Sequence, residues 1–157
     1  MPHQKSSVIY PKDLDAVWLA MDQSGSIAVF VTSGEGPIPI TVFGIFAQLE
    51  NIEPELLMLP EISGKRWDHG ARCIPTTQTL LRGLIVYDWK MPFNQDNTYK
   101  LAVIPSNGVR LQDMSSGLQR MACSIRLPIA RFLDTPQLDV RDVWDCVQLQ
   151  GQHGSKA

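Results

Sequence analysis

Ala16-Val17-Trp18-Leu19-Ala20-Met21 and Ile27-Ala28-Val29-Phe30-Val31-Thr32 are two short apolar runs separated by Asp22-Gln23-Ser24-Gly25. β-Branched and aromatic residues dominate the second run, and the intervening residues are those that favour turns. Two such runs across a glycine-containing turn predict a β-hairpin. Neither run alternates apolar with polar residues, so the hairpin is expected to be buried on both faces.

Ser33-Gly34-Glu35-Gly36-Pro37-Ile38-Pro39 follows as a loop, because its glycines permit unusual backbone angles and its prolines interrupt a ladder. Val42, Phe43, Phe46 and Leu49 suit one helical face, and a helix is expected over 40–49, with a short one starting near Pro54. Residues 62–75 read as a loop, and Thr76 as the N-cap of a short helix through Arg82. Leu84 to Trp89 and Tyr99 to Ile104 read as strands, the second stopped by Pro105. Residues 91–97 read as a polar loop, Ser106-Asn107-Gly108 as a turn, and 121–127 as a further strand ended by Pro128. Val140, Val143, Trp144 and Val147 fall at helical spacing, with Asp139 as cap and Asp142 in the first turn. Hairpins with scattered helices predict an α+β fold: a single compact domain with an antiparallel, hairpin-built sheet and a few helices. The expected organisation is an N-terminal arm over 1–12, the domain over 13–149 and a mobile tail over 150–157.

Length and composition agree with one globular domain. The chain has 157 residues, 44% hydrophobic and 19% charged, which excludes a mainly disordered polymer. A formal net charge of −2 argues against a dedicated nucleic-acid binder, which normally carries a strong basic excess. The polar start predicts no secretory signal, and no apolar stretch approaches the ~20 residues of a spanning helix. Cys73, Cys123 and Cys146 form an odd, sparse set rather than a disulfide framework, so a reducing cytoplasm is the expected compartment.

The small net charge conceals a strong segregation. Between Asp13 and Gly64 there are eight acids and no Lys or Arg. Between Lys65 and Arg131 there are ten bases and four acids. Folding can bring the two halves together and neutralise them locally. Alternatively, the acidic segment forms a face that steers a basic partner. Glu35, Glu53 and Glu55 belong to that segment, and Asp139, Asp142 and Asp145 recur every three residues as an acidic edge beside Trp144. Trp67 lies in the charged stretch Lys65-Arg66-Trp67-Asp68-His69, where an aromatic can anchor an interface. These seven residues (Glu35, Glu53, Glu55, Trp67, Asp139, Asp142 and Asp145) are the candidate partner-binding set.

Catalytic signals are sparse. Of His3, His69 and His153, only His69 lies away from the termini, and no G-x-S-x-G elbow exists. Asp68, His69 and Cys73 are the best local metal-like set, but no C-x-x-C or H-x-x-x-H accompanies them, and a zinc site normally needs four ligands. Gly34-Glu35-Gly36 lacks the third glycine of a dinucleotide fingerprint, since Pro39 stands in its place. Ser24 and Ser26 flank Gly25 in a turn, where serine is ordinary. No catalytic residue, metal or cofactor is therefore expected.

Trp18-Leu19-Ala20-Met21-Asp22, Gly25, Ile27-Ala28-Val29-Phe30, Thr32, Gly34 and Gly36-Pro37-Ile38-Pro39 resemble the opening of small bacterial immunity proteins of polymorphic-toxin and type VI secretion systems. Gly83-Leu84-Ile85-Val86-Tyr87-Asp88-Trp89, with Tyr99 and Leu101-Ala102-Val103-Ile104-Pro105-Ser106, extends the resemblance to about a quarter of the chain. It implies a non-enzymatic protein that binds and blocks a cognate secreted toxin, and it carries over no catalytic or contact residues. An acidic inhibitor could occupy the basic cleft of a nuclease toxin in place of phosphate, so a nuclease-type target is expected. The partner expected is then the toxin itself, with no direct nucleic-acid or membrane binding. Two other classes compete: an adaptor or chaperone that carries an effector without blocking it, and a small hydrolase using His69.

Overall fold

The computed structural model describes residues 10, 16–45, 55–56, 58–59, 64–66, 83–89, 98–105, 108–142 and 145–147. The expected hairpin forms from β1 (Val17–Met21) and β2 (Ile27–Val31), antiparallel, with Val17 opposite Val31 and Met21 opposite Ile27. None of its ten strand residues is more than 5% exposed, so both faces are covered, as the lack of alternation required. β3 (Ile38–Pro39) runs directly into α1 (Ile40–Ile45), and β4 (Gly64–Arg66), β5 (Ile85–Asp88) and β6 (Tyr99–Pro105) follow. α2 (Ser116–Ser124), β7 (Gln137–Leu138) and β8 (Cys146–Val147) complete the described elements.

The main sheet has the order β1-β2-β5-β6-β4, with β7 also pairing β6. Among the described strands one ladder is parallel: it joins β2 to β5, Ala28 through Val31 lying opposite Ile85 through Asp88. A parallel neighbour cannot be reached by a tight turn, and the chain from 32 to 84 makes the crossover. The other strand ladders are antiparallel, so the sheet is mixed; this corrects the antiparallel sheet expected, because the β2–β5 pairing joins strands about fifty residues apart and no local turn signal encodes it. β6 is the longest strand and shares its outer edge between two short partners. Lys65 and Arg66 face Ile104 and Val103, while Gln137 and Leu138 face Lys100 and Tyr99. β3 and β8 form a separate two-stranded sheet. The whole is one α+β domain.

Register places the aromatic core. Trp18 lies opposite Phe30, and Phe30 opposite Tyr87, so the three rings share one face of β1-β2-β5. Trp18 stacks on Phe30 at 4.1 Å and Phe30 on Tyr87 at 4.9 Å, the ring planes nearly parallel in both cases. Tyr99 meets Trp18 and Phe30 edge-on, and Phe132 meets Phe30 and Tyr87 likewise. Edge-on closure suits the ring quadrupoles, and all five side chains are fully buried. α2 packs on β1, and Met121 Sδ accepts a hydrogen bond from the Leu19 N–H at 3.3 Å.

Three further expectations are corrected. The loop expected over 62–75 contains β4, whose Gly-Lys-Arg sequence has no strand pattern of its own and is recruited by the edge of β6. Residues 121–124 close α2 rather than open a strand. Ser115 caps that helix by accepting from the Leu118 N–H, and Leu118, Met121 and Ala122 form its buried stripe. Only Ile125 to Leu127 is extended, where the Met21 N–H donates to the Ile125 carbonyl and the Leu127 N–H to that of Met21, each at 2.8 Å. Finally, the helix expected near Val140–Val147 is a short 3-10 turn, Val140–Asp142, followed by β8. Its valines fit helical spacing but carry a β-branched penalty, and pairing with β3 prevails.

The helix expected over 40–49 is present as α1 through Ile45, and helical residues 55–56 follow Pro54 as expected. The Thr76–Arg82 helix, the 91–97 loop and the 150–157 tail lie outside the described residues.

Candidate functional site

The acidic residues singled out above do not converge on one place. Glu35 sits half-buried in the turn after β2, its N–H donating to the Thr32 carbonyl. Glu55 is half-buried, its carbonyl accepts from the Met58 N–H at 3.2 Å, and its Oε1 accepts from Ser115 Oγ at 3.0 Å. Glu53 and Trp67 lie outside the described residues, as do Trp144, Asp68, His69 and Cys73.

Asp139, Asp142 and Asp145 are dispersed by the 3-10 turn and β8 rather than aligned on a helix. Asp139 is occupied within the molecule. Arg141 Nε and Nη2 donate to its two carboxylate oxygens at 2.8 and 2.9 Å, a bidentate pair. Hydrogen bonding from Arg141 holds the Asp139 carboxyl below the usual range. The Arg141 guanidinium in turn lies 5.9 Å from the ring centre of half-buried Trp89. Asp142 and Asp145 are exposed, and the Asp145 carbonyl accepts from the Ile40 N–H that opens α1.

The polar groups inside the domain are committed to holding it together. Asp22 is fully buried at the head of the β1–β2 turn. Its Oδ1 accepts from the Ser24 and Ser26 N–H groups, each at 2.9 Å, and from Ser24 Oγ at 2.7 Å. Its Oδ2 accepts from the Phe132 N–H at 2.8 Å, so one carboxylate closes a local turn and pins a segment 110 residues away. Tyr99 Oη donates to the Pro37 carbonyl at 2.8 Å and accepts from Trp18 Nε1 at 3.3 Å. Tyr87 Oη lies within donating distance of the Thr135 and Phe132 carbonyls, 2.6 and 3.0 Å. Burial pushes both phenols up, Tyr87 further by the charge of Asp22. Burial also pushes the Cys146 thiol up to about 12, which keeps it protonated and poorly nucleophilic at neutral pH.

The Gly34-Glu35-Gly36 loop serves shape. Gly34 has φ +78°, a conformation that side chains disfavour. Gly36 is packed so closely that a Cβ there would stand 2.5 Å from Tyr99 Oη and 3.1 Å from Trp89 Cβ. Tyr10, from the N-terminal segment, donates to the Gly36 carbonyl at 2.6 Å and is itself buried. The loop is thus held from both sides by tyrosine hydroxyls.

Two concavities lie among the described residues. One, about 320 Å³, opens at the end of the sheet between Ser24-Gly25-Ser26 and Gly83, Pro105 and Gly108; its lining carries no charged side chain among the described residues. The other, about 280 Å³, is lined by Glu55, Met58, Leu59, Asp113 and Ser115. Met58 beside it is 85% exposed, the most exposed large apolar side chain among the described residues. Sequence reasoning named Glu55 but missed Met58 and Asp113, since only folding brings residues 55–59 against 111–115. Among the described residues no three His, Cys, Asp or Glu side chains are grouped to hold a metal, and no helix is long and apolar enough to cross a membrane. No protein-family model matches the chain, and no curated protein or solved structure matches it either.

Proposed function

We propose that this chain is an immunity-type protein that binds and neutralises a cognate secreted antibacterial toxin in the cytoplasm by forming a stoichiometric complex. The observation that carries the reading is the segregation of charge: eight acids and no Lys or Arg over 13–64 in a chain of net charge −2. Such a segment suits rapid, oriented association with a basic protein surface more than catalysis. The resemblance of the β1–β2 and β5–β6 sequences to immunity proteins supports the same reading. So does the commitment of Asp22, Tyr87, Tyr99 and Cys146 to internal bonding or burial, while Asp142, Asp145 and Met58 stay at the surface. A nuclease-type toxin is the target class proposed, because a basic cleft that takes phosphate would accept carboxylates.

The test is growth rescue. The neighbouring candidate toxin is expressed in a sensitive host with and without this chain, and the two are co-purified. Rescue with an equimolar complex and loss of toxin activity is expected. A complex in which the toxin stays active would replace inhibition with an adaptor role. Unrelieved toxicity without a complex would overturn the proposal.

A further inference from the structure

We propose that the groove between residues 55–59 and 111–115 is a docking site for a basic polypeptide segment that carries an apolar side chain next to its Lys or Arg residues. The inference rests on the reading of this chain as a binder of a basic protein and names where that protein is gripped.

Described residues 55–56 and 58–59 are tied by backbone bonds. The Met58 N–H donates to the Glu55 carbonyl at 3.2 Å and the Leu59 N–H to that of Leu56 at 3.1 Å. Leu56 and Leu59 point into the core at 0% and 4% exposure, which forces Met58 outward at 85%. Its exposure follows from the anchoring of its neighbours. The facing wall is the 3-10 turn Leu111–Asp113 with the N-cap Ser115 of α2. Ser115 joins the two walls: its Oγ donates to Glu55 Oε1 at 3.0 Å and accepts from the Leu118 N–H at 3.3 Å. The groove is therefore built on the core and on a capped helix.

Its chemistry selects the occupant. The walls are largely apolar, and the described lining holds two carboxylates, Glu55 and Asp113, with no Lys or Arg. Each has one oxygen engaged, Glu55 Oε1 by Ser115 and Asp113 Oδ2 by the Arg110 N–H at 3.4 Å. The other oxygen of each is open to a partner among the described residues. The 13–64 segment that supplies one wall contributes no base, and the exposed Arg110 beside the other wall bonds Asp113 through its backbone N–H. A methionine thioether is flexible and polarisable, so it can mould itself to an incoming aliphatic or aromatic side chain. One apolar anchor flanked by charge pairs is the usual energetic centre of a larger interface, and a groove of this size provides such an anchor.

The test uses the full chain labelled with ¹³C at the methionine methyl groups, with Met58 assigned by Met58→Leu. Three peptides are titrated: one alternating Arg or Lys with Leu, one with Glu replacing the bases, and one with Ser replacing Leu. The basic–apolar peptide is expected to shift the Met58 methyl while leaving that of buried Met121 in place, and added salt should weaken it. The paired change Glu55→Gln and Asp113→Asn, which preserves side-chain shape, should weaken binding about fivefold or more. Equal shifts with the acidic peptide, an unmoved Met58 methyl, or undiminished binding by the paired variant would overturn the proposal. Failure of the groove is distinguishable from failure of the function. If the wild-type chain rescues growth and the paired variant and Met58→Ser bind the toxin equally well, the groove falls and the function stands. If the chain never rescues, the function falls while the peptide result stands by itself.

Discussion

Replacing Asp22 should cost more stability than any other single polar change in the β1–β2 hairpin, and Asp22→Asn discriminates the reason. In Asp22→Ala the Phe132 N–H, now bonded at 2.8 Å in a buried setting, loses its acceptor, a loss of about 1–3 kcal/mol. The three donors from Ser24 and Ser26 lie at the exposed turn and recover water, so their loss amounts to roughly 0.5–1 kcal/mol each. The total is about 2.5–6 kcal/mol, against a typical domain stability of about 5–15 kcal/mol. Asn can keep the turn by aiming its carbonyl at Ser24 and Ser26. Its amide then faces the Phe132 N–H, donor against donor, and about 2–4 kcal/mol is lost. Urea unfolding followed by tryptophan fluorescence reads the difference. With a slope near 2 kcal/mol per molar, Asp22→Asn should lower the midpoint by about 1–2 M with the slope unchanged. If Asp22 merely closes its own turn, Asn would serve equally. A midpoint within about 0.25 M of wild type, or about 0.5 kcal/mol, would refute the reasoning that the carboxylate ties β1 to Phe132.

Other outcomes follow from the same packing. Gly36→Ala should destabilise by about 1–3 kcal/mol by overpacking against Tyr99 and Trp89, and Tyr99→Phe, which removes the closest atom, should recover part of that loss in a double-mutant cycle by denaturant titration. Tyr87 and Tyr99 have folded-state pKa values raised by burial, so they contribute stability at every pH below the ordinary phenol value, and that contribution is lost as pH rises above it. Unfolding free energy should hold steady to about pH 9 and then fall by up to about 1.4 kcal/mol per pH unit for each of the two, with a smaller fall in Tyr87→Phe. Iodoacetamide at pH 8 should label exposed Cys123 at least tenfold faster (about one order of magnitude) than Cys146, whose thiol is pushed up to about 12, as read by peptide mass mapping. Equal labelling would mean that β8 opens readily.

The hairpin was legible because its signals are local. Turn residues at 22–25 and two unalternating apolar runs suffice to specify antiparallel strands buried on both faces, whatever covers them. β5 and β6 were legible for the same reason, as was the role of the Gly34 and Gly36 pair in shaping a loop. β4 was not legible, because Gly64-Lys65-Arg66 has no strand character until the edge of β6 offers hydrogen bonds. The last helix was misread because helical spacing of valines over 140–147 ignores the competing edge of β3, which captures Cys146 and Val147. α2 was missed since its Ser115 cap lies outside the 121–127 window read as a strand.

The same division holds for the candidate site. The charge segregation, on which the kind of partner proposed rests, is a property of the linear chain. Which carboxylates are available is not. Asp139 is consumed by Arg141 two residues on, whereas Glu55 meets Ser115 and lines one groove with Asp113 across about sixty residues of chain, where only loop closure could bring them together. The sequence alone determined the hairpin, the fold class and the acidic segment, because local periodicity and composition act over a few residues. The parallel β2–β5 ladder, the recruitment of β4 and β8, the tie from Asp22 to Phe132 and the groove beside Met58 were decided by the tertiary structure. Each of these joins groups distant in the chain, and the energies that select them arise only when the surfaces meet.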